Sequence, residues 1–216
     1  THNTVLYSVN ADSRCYPASL TKLMTAAVAS RYCSSETVFT VGSEISLVQF
    51  GSSLAHLEQG QQLNFSAMLD ALLLPSGNDA AYVIAARVGR LASGDESLDD
   101  TAAVSYFCDL MNERAKTLGC TNTHFVNPNG LHDPDHYTSA HDMALISREA
   151  IQNPTFREIT GCTEYTVAST NLRPEGFPLS HKHQMLMYTK YHYDACIGGK
   201  TGYTSEAKNT LVTYAE

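Results

Sequence analysis

Pro17-Ala18-Ser19-Leu20-Thr21-Lys22-Leu23-Met24-Thr25 is the stretch on which the reading of this chain turns. Proline is tolerated in a first helical turn. Leu20, Leu23, Met24, Ala27 and Val28 recur at helical spacing, so the segment predicts a helix with a core-facing stripe. Ser19 and Lys22, three apart, share one face of it. A serine hydroxyl is a weak nucleophile that needs a base beside it. Lysine serves as that base only where burial and a cationic neighbour hold its pKa down. The apolar stripe supplies the burial, and Lys200 could supply the second charge. The positive end of the helix would stabilise an oxyanion formed near Ser19. Alone, the pattern equally describes a first-turn serine followed by a solvent-facing lysine.

Two further elements change the balance. Ser76-Gly77-Asn78 lies between two helical stretches, where a turn serine and an Asn or Asp cap are ordinary features. Beside Ser19 and Lys22, Ser76 becomes a proton relay and Asn78 a hydrogen-bonding partner for a substrate amide. Lys200-Thr201-Gly202 follows Gly198-Gly199 on a predicted strand. Such a strand could be an exposed edge, or it could pair with an extended ligand backbone. In the second case Lys200, with a hydroxyl from Thr201 or Thr204, would hold a terminal carboxylate, and Gly202 would let the ligand come close. Each motif is common by chance. The three together, in this order, point to one catalytic site.

The rest of the chain gives these elements a setting. Its 216 residues, 43% hydrophobic, suit a single domain with a sizeable core. A net charge of −8 makes nucleic acid an unsuitable partner. No apolar run reaches the roughly 20 residues of a membrane span. Residues 4–9 are β-rich, 66–73 read as a helix capped by Ser66, and 80–88 as a helix capped by Asn78-Asp79. Residues 42–57 read as strands and loops, 102–118 and 139–151 as helices, the latter stopped before Pro154. Residues 163–167, 196–203 and 209–216 read as strands. Strand, many helices, then strands describes an α/β (α+β) chain: an antiparallel sheet built from distant chain ends, flanked by helices, with a helical lobe of approximately residues 43–160 inserted. Thr1 is not a natural start, and the last strand stops abruptly, so a mature or trimmed chain with terminal strands missing is expected.

Six cysteines permit fifteen pairings but form no C-x-x-C, and most are expected to be free and buried. Nine histidines include His132, His136 and His141 near Asp133, Asp135 and Asp142, yet none stands at metal-motif spacing. His181-Lys182-His183 matches no metal motif either. No metal or other cofactor is expected, and His124 and His136 read as braces of a turn.

The chain resembles the serine-type D-alanyl-D-alanine carboxypeptidases, the low-molecular-weight penicillin-binding proteins, over nearly its whole length. Residues 17–25 are similar to that family's nucleophile segment. Pro75-Ser76-Gly77-Asn78-Asp79-Ala80-Ala81 is similar to its second element, and Gly199-Lys200-Thr201-Gly202-Tyr203-Thr204 to its third. Thr123-His124-Phe125-Val126-Asn127-Pro128 with Gly130-Leu131 resembles the stretch after the helical lobe. The resemblance implies a β-lactamase/transpeptidase-like fold and removal of the terminal D-alanine from peptidoglycan stem peptides. It makes Ser19 the acylated nucleophile, Lys22 its base, Ser76 and Asn78 the relay and substrate-binding pair, and Lys200, Thr201, Gly202 and Thr204 the ligand-binding strand. The oxyanion hole would be the backbone N–H groups of Ser19 and Tyr203. β-Lactams, which mimic the D-Ala-D-Ala end, should trap Ser19. The resemblance also implies an exported protein at the cell wall, membrane-associated only through regions outside this chain. The family adds a strand before residue 4 and a strand and helix after residue 215.

The alternatives are a class A-like β-lactamase, a non-catalytic β-lactam or peptidoglycan sensor, and an endopeptidase on crosslinked peptides. A β-lactamase of that class needs a glutamate in an E-x-x-L-N element; Glu149 precedes Asn153 at the wrong spacing. A sensor would not need all the reactive groups present here.

Overall fold

The structure, a computed structural model, describes residues 4–216. Six α-helices and six short strands make it up. A 3-10 helix, Ala18–Leu20, runs into α1, Thr21–Ala29. All nine residues of α1 are buried, Thr21, Lys22 and Thr25 included, so α1 is an axle rather than a surface helix. Around it pack α2 (Phe65–Leu73), α3 (Asn78–Ser93), α4 (Asp100–Thr117) and α5 (Ala140–Ala150). Leu23, Met24, Phe39, Leu69, Leu72, Ile84, Phe107 and Ile146 fill the shared core. Side chains that satisfy orphan N–H groups mark several helix starts: Asn64, Asp99 and Ser139 each accept one, and each such cap is worth about 1 kcal/mol.

The strands form three separate antiparallel pairs. β1 (Val38–Thr40) pairs with β2 (Gln62–Asn64), and β3 (Glu164–Val167) with β4 (Phe177–Ser180). The longest pair is the hairpin β5 (Cys196–Thr204) and β6 (Lys208–Ala215). Its first strand lies against the 3-10 helix carrying Ser19 and against α6, Pro154–Gly161.

Several local expectations are corrected. Residues 4–9 form no strand: they have no ladder partner, and Val5, Leu6 and Tyr7 are exposed. β-Propensity reports packing against neighbours, and here there are none. Ser66 is not a cap; Asn64 takes that place two residues earlier. Asn78 and Asp79 are likewise inside α3, whose N-cap is Gly77. Their side chains are occupied elsewhere: Asn78 by Lys22, and Asp79 by the N–H groups of Ala55 and Leu57. Pro154 opens α6 as well as closing the preceding helix. Within residues 42–57 the regular element is a 3-10 helix, Ser43–Leu47, not strands. The cysteines are all free, but only Cys33 and Cys108 are buried and Cys15 is exposed.

Candidate active site

Ser19 stands at a tight corner. Ala18 before it has φ +50°, a left-handed conformation that residues with a side chain rarely adopt. Two glycines make room for the corner. Gly130, at φ +90°, lies so close that a Cβ there would fall 1.8 Å from the Ala18 carbonyl oxygen. A Cβ on Gly202 would fall 2.9 Å from the Ser19 nitrogen. Strand β5 and the 127–131 turn thus press on the two sides of Ser19, whose side chain is half-buried.

The 127–131 turn is itself tied to α1. Thr25 Oγ1 donates to the Pro128 carbonyl (2.6 Å), and Thr21 Oγ1 meets buried His136 Nε2 (2.8 Å). His136 Nδ1 accepts the Val126 N–H, and burial holds its pKa down to about 4, keeping the ring neutral. His124 Nδ1 meets the Asp135 carbonyl, so both histidines brace the turn as the sequence suggests.

Lys22 is fully buried, and its Nζ has three neighbours: Ser19 Oγ at 3.1 Å, Asn78 Oδ1 at 2.6 Å and the Asn129 carbonyl oxygen at 2.8 Å. Two of these can only accept. A neutral amine has two N–H bonds, enough for Asn78 and Asn129, and a lone pair left for the Ser19 hydroxyl proton. Burial holds the Lys22 pKa well below the usual lysine range, with the charges of Lys200 and Lys182 adding to the effect and Asp79 opposing it. The geometry admits the uncharged amine, and the electrostatics favour it.

A second serine–lysine pair lies beside the first. Ser76, also left-handed at φ +64°, accepts a hydrogen bond from Lys200 Nζ at 2.9 Å. Lys200 is buried, donates also to the Thr201 carbonyl, and is held to about 7 by burial and then by Lys182. Two neighbouring serines therefore sit at or next to left-handed residues, each with a lysine whose proton is loosely held.

These groups line one cleft of about 1080 Å³. Ser19, Ser76 and Asn78 face Thr201, Gly202, Tyr203 and Thr204 across it. Thr204 Oγ1 accepts the Ala207 N–H in the hairpin turn, which leaves its own proton to donate. Every sequence-predicted site residue is at this cleft or, for Lys22 and Lys200, hydrogen-bonded to a serine that lines it. Three participants were not foreseen. The Asn129 carbonyl is a backbone group with no sequence signature. Ser53 and Lys182, joined by a 2.9 Å hydrogen bond at the cleft, lie in segments without a motif. Among the described residues no three His, Cys, Asp or Glu side chains converge on a metal-sized site, and no helix is long and apolar enough to cross a membrane.

The fold is that of the β-lactamases and transpeptidases. The crystal structure of the DD-transpeptidase of Streptomyces strain K15 superimposes with a TM-score of 0.88 at 32% identity, covering 100% of this chain and 81% of that one. Residues 1–216 match the peptidase S11 family, D-alanyl-D-alanine carboxypeptidase, and the chain belongs to that family. Among similar proteins, D-alanyl-D-alanine carboxypeptidase DacF of Bacillus subtilis is 34% identical over 98% of this chain and 51% of its own length. D-alanyl-D-alanine carboxypeptidase DacA of Escherichia coli is 33% identical over 98% of this chain and 49% of its own. The chain thus spans about half the length of these two relatives.

Proposed function

We propose that this chain is the catalytic domain of a serine DD-carboxypeptidase that removes the terminal D-alanine from peptidoglycan stem peptides. It acts as one domain, with approximately residues 43–160 as a helical insertion beside an α/β part. The observation that carries the reading is the placement of buried Lys22 Nζ 3.1 Å from Ser19 Oγ beside two obligate acceptors, so that the neutral amine has its lone pair free for the Ser19 proton.

In the proposed reaction the D-Ala-D-Ala end lies along β5, its amide held by Asn78 and its carboxylate near Thr201 and Thr204. Ser19 Oγ attacks the carbonyl carbon of the penultimate residue while Lys22 takes the hydroxyl proton. The oxyanion is met by the N–H groups of Ser19 and Tyr203. The C–N bond then breaks, and the proton that Lys22 took is passed by way of Ser76 to the leaving amine, which returns Lys22 to its free amine. Water then gives a proton to Lys22 as it attacks the acyl-enzyme ester, and Lys22 hands that proton to the departing Ser19 Oγ. A β-lactam enters the same way, but its leaving group stays attached to the acyl-enzyme.

The family and the curated relatives support this substrate, and with it an extracytoplasmic location at the cell wall. No observation favours a β-lactamase. Glu149 is paired with Arg114 and does not line the cleft; among the described lining residues the acid is Glu206, on the hairpin turn. The test is release of D-alanine from a diacetyl-L-Lys-D-Ala-D-Ala peptide. The expected result is one D-alanine per turnover, lost in Ser19→Ala. Cleavage that survives in Ser19→Ala would sink the proposal.

A further inference from the structure

The cleft has two electrically different ends. Lys182 and Lys200 stand at one, hydrogen-bonded to Ser53 and Ser76. The other is the turn of the β5–β6 hairpin, where Ser205 and Glu206 line the wall. At about 3.3 Å per strand residue, Lys200 and Thr204 lie about 13 Å apart along β5. Glu206 is the acid among the described lining residues, so lysines mark one end of the cleft and a carboxylate the other.

The groups at the acidic end are unengaged. Glu206 is exposed, and among the described residues no ion pair takes its carboxylate, Lys208 of the same turn included. The turn does not need that carboxylate: the Thr204–Lys208 ladder pair closes it, and the Ala207 N–H donates to Thr204 Oγ1. Asn209, opposite Tyr203 in the ladder, lines the same cleft, and among the described residues its side-chain amide has no hydrogen bond. Tyr203 lines it too and is 64% exposed. A carboxylate, an amide oxygen and an aromatic ring are the groups that receive an ammonium.

In the proposed reaction the scissile carbonyl lies at the Tyr203 N–H, and the terminal carboxylate is drawn toward the lysine end. The peptide upstream of that carbonyl therefore leaves past Tyr203 toward the turn, and the residue just before D-Ala-D-Ala arrives beside Glu206 and Asn209. We propose that Glu206, with Asn209 and the Tyr203 ring, binds the side-chain ammonium of a diamino acid at that position. This rests on the carboxypeptidase reading and names its substrate: a stem peptide whose side-chain amine is free. Acylation of the amine, as in a crosslink, removes the charge and with it the pairing, so the subsite selects uncrosslinked stems.

The test measures D-alanine release from two peptides that differ in one charge: Nα-acetyl-L-Lys-D-Ala-D-Ala, with its side-chain amine free, and the diacetyl peptide. The readout is the ratio of their kcat/KM values. Wild type should favour the free amine about 3- to 5-fold, the upper range for an exposed ion pair. Glu206→Gln should bring the ratio to about one, and Glu206→Lys should push it below one, since a second cation then repels the ammonium. A wild-type ratio of one overturns the assignment. So does a wild-type preference that survives in Glu206→Gln, or an equal fall with both peptides that leaves the ratio intact, which would make Glu206 a support of the turn. If wild type releases D-alanine from neither peptide, the carboxypeptidase reading itself fails and takes this inference with it.

Discussion

Lys22 is the residue on which the proposed chemistry depends. Its burial is complete, so the protein bears the cost of desolvating it and relieves that cost by letting the proton go. Acylation should therefore rise with pH as Lys22 deprotonates, and reach its plateau well below the pH at which an ordinary lysine would. A stopped-flow pH profile with a chromogenic β-lactam checks this; a limb in the ordinary lysine range would contradict it. Lys22→Ala should lower the acylation rate by about 10²–10⁴-fold while leaving the fold intact, the range general-base catalysis typically contributes. A near-wild-type rate in that variant would move the base elsewhere. At this scale the sequence was most legible. Ser19 and Lys22 announce themselves by spacing, whereas the Asn129 carbonyl that orients Lys22 does so by backbone position alone.

Elements place those residues through close approaches that only particular side chains allow. The turn carrying Asn129 is seated by Gly130 against the Ala18 carbonyl. Gly130→Ala combines an unfavourable φ with a direct clash, and the corner must move. Its expected cost is about 2 kcal/mol or more in chemical denaturation, with a larger loss of acylation than of stability. Asp79→Asn should cost about 1–3 kcal/mol, since the carboxylate holds three backbone N–H groups, those of Ala55, Leu57 and Ala80. A denaturation midpoint equal to wild type would show that the 55–57 loop is held by other means. The long helices at 102–118 and 139–151, each with buried residues at helical spacing, were readable almost to their ends. Helix α6 and the strands β1 and β2 were not: they are short, and their burial is decided by neighbours distant in sequence. The strand expected at residues 4–9 failed for the same reason in reverse, having propensity but no partner.

At the scale of the molecule, buried ionisable groups set the pH range of stability. Lys200 binds its proton with a pKa of about 7 in the fold, as burial dictates, against 10.5 ordinarily. Between these values the unfolded chain holds more protons, so this contribution makes stability rise with pH. Burial raises the Cys108 thiol from 9.0 to about 12, so above pH 9 the unfolded chain sheds that proton first and stability falls. The thermal midpoint should therefore climb from pH 7 to about pH 9, above which the two contributions oppose each other, and Lys200→Met should flatten the climb. A wild-type midpoint that falls from pH 7 to pH 9 would contradict the buried, loosely protonated lysine. The overall architecture was legible because three motifs from distant parts of the chain must meet in one cleft. What the sequence could not show was the third lysine of the cleft, because Lys182 meets Ser53, more than a hundred residues earlier, only in the fold.

The central claim is that Ser19 is an acyl acceptor activated by Lys22. Intact-mass spectrometry of the protein mixed with benzylpenicillin, followed over time beside Ser19→Ala, tests it most directly. The account predicts an adduct of one drug mass on wild type alone, persisting for long after excess drug is removed. An adduct on Ser19→Ala, or none on the folded wild type, would contradict it. One that forms and soon vanishes would make the protein a β-lactamase instead.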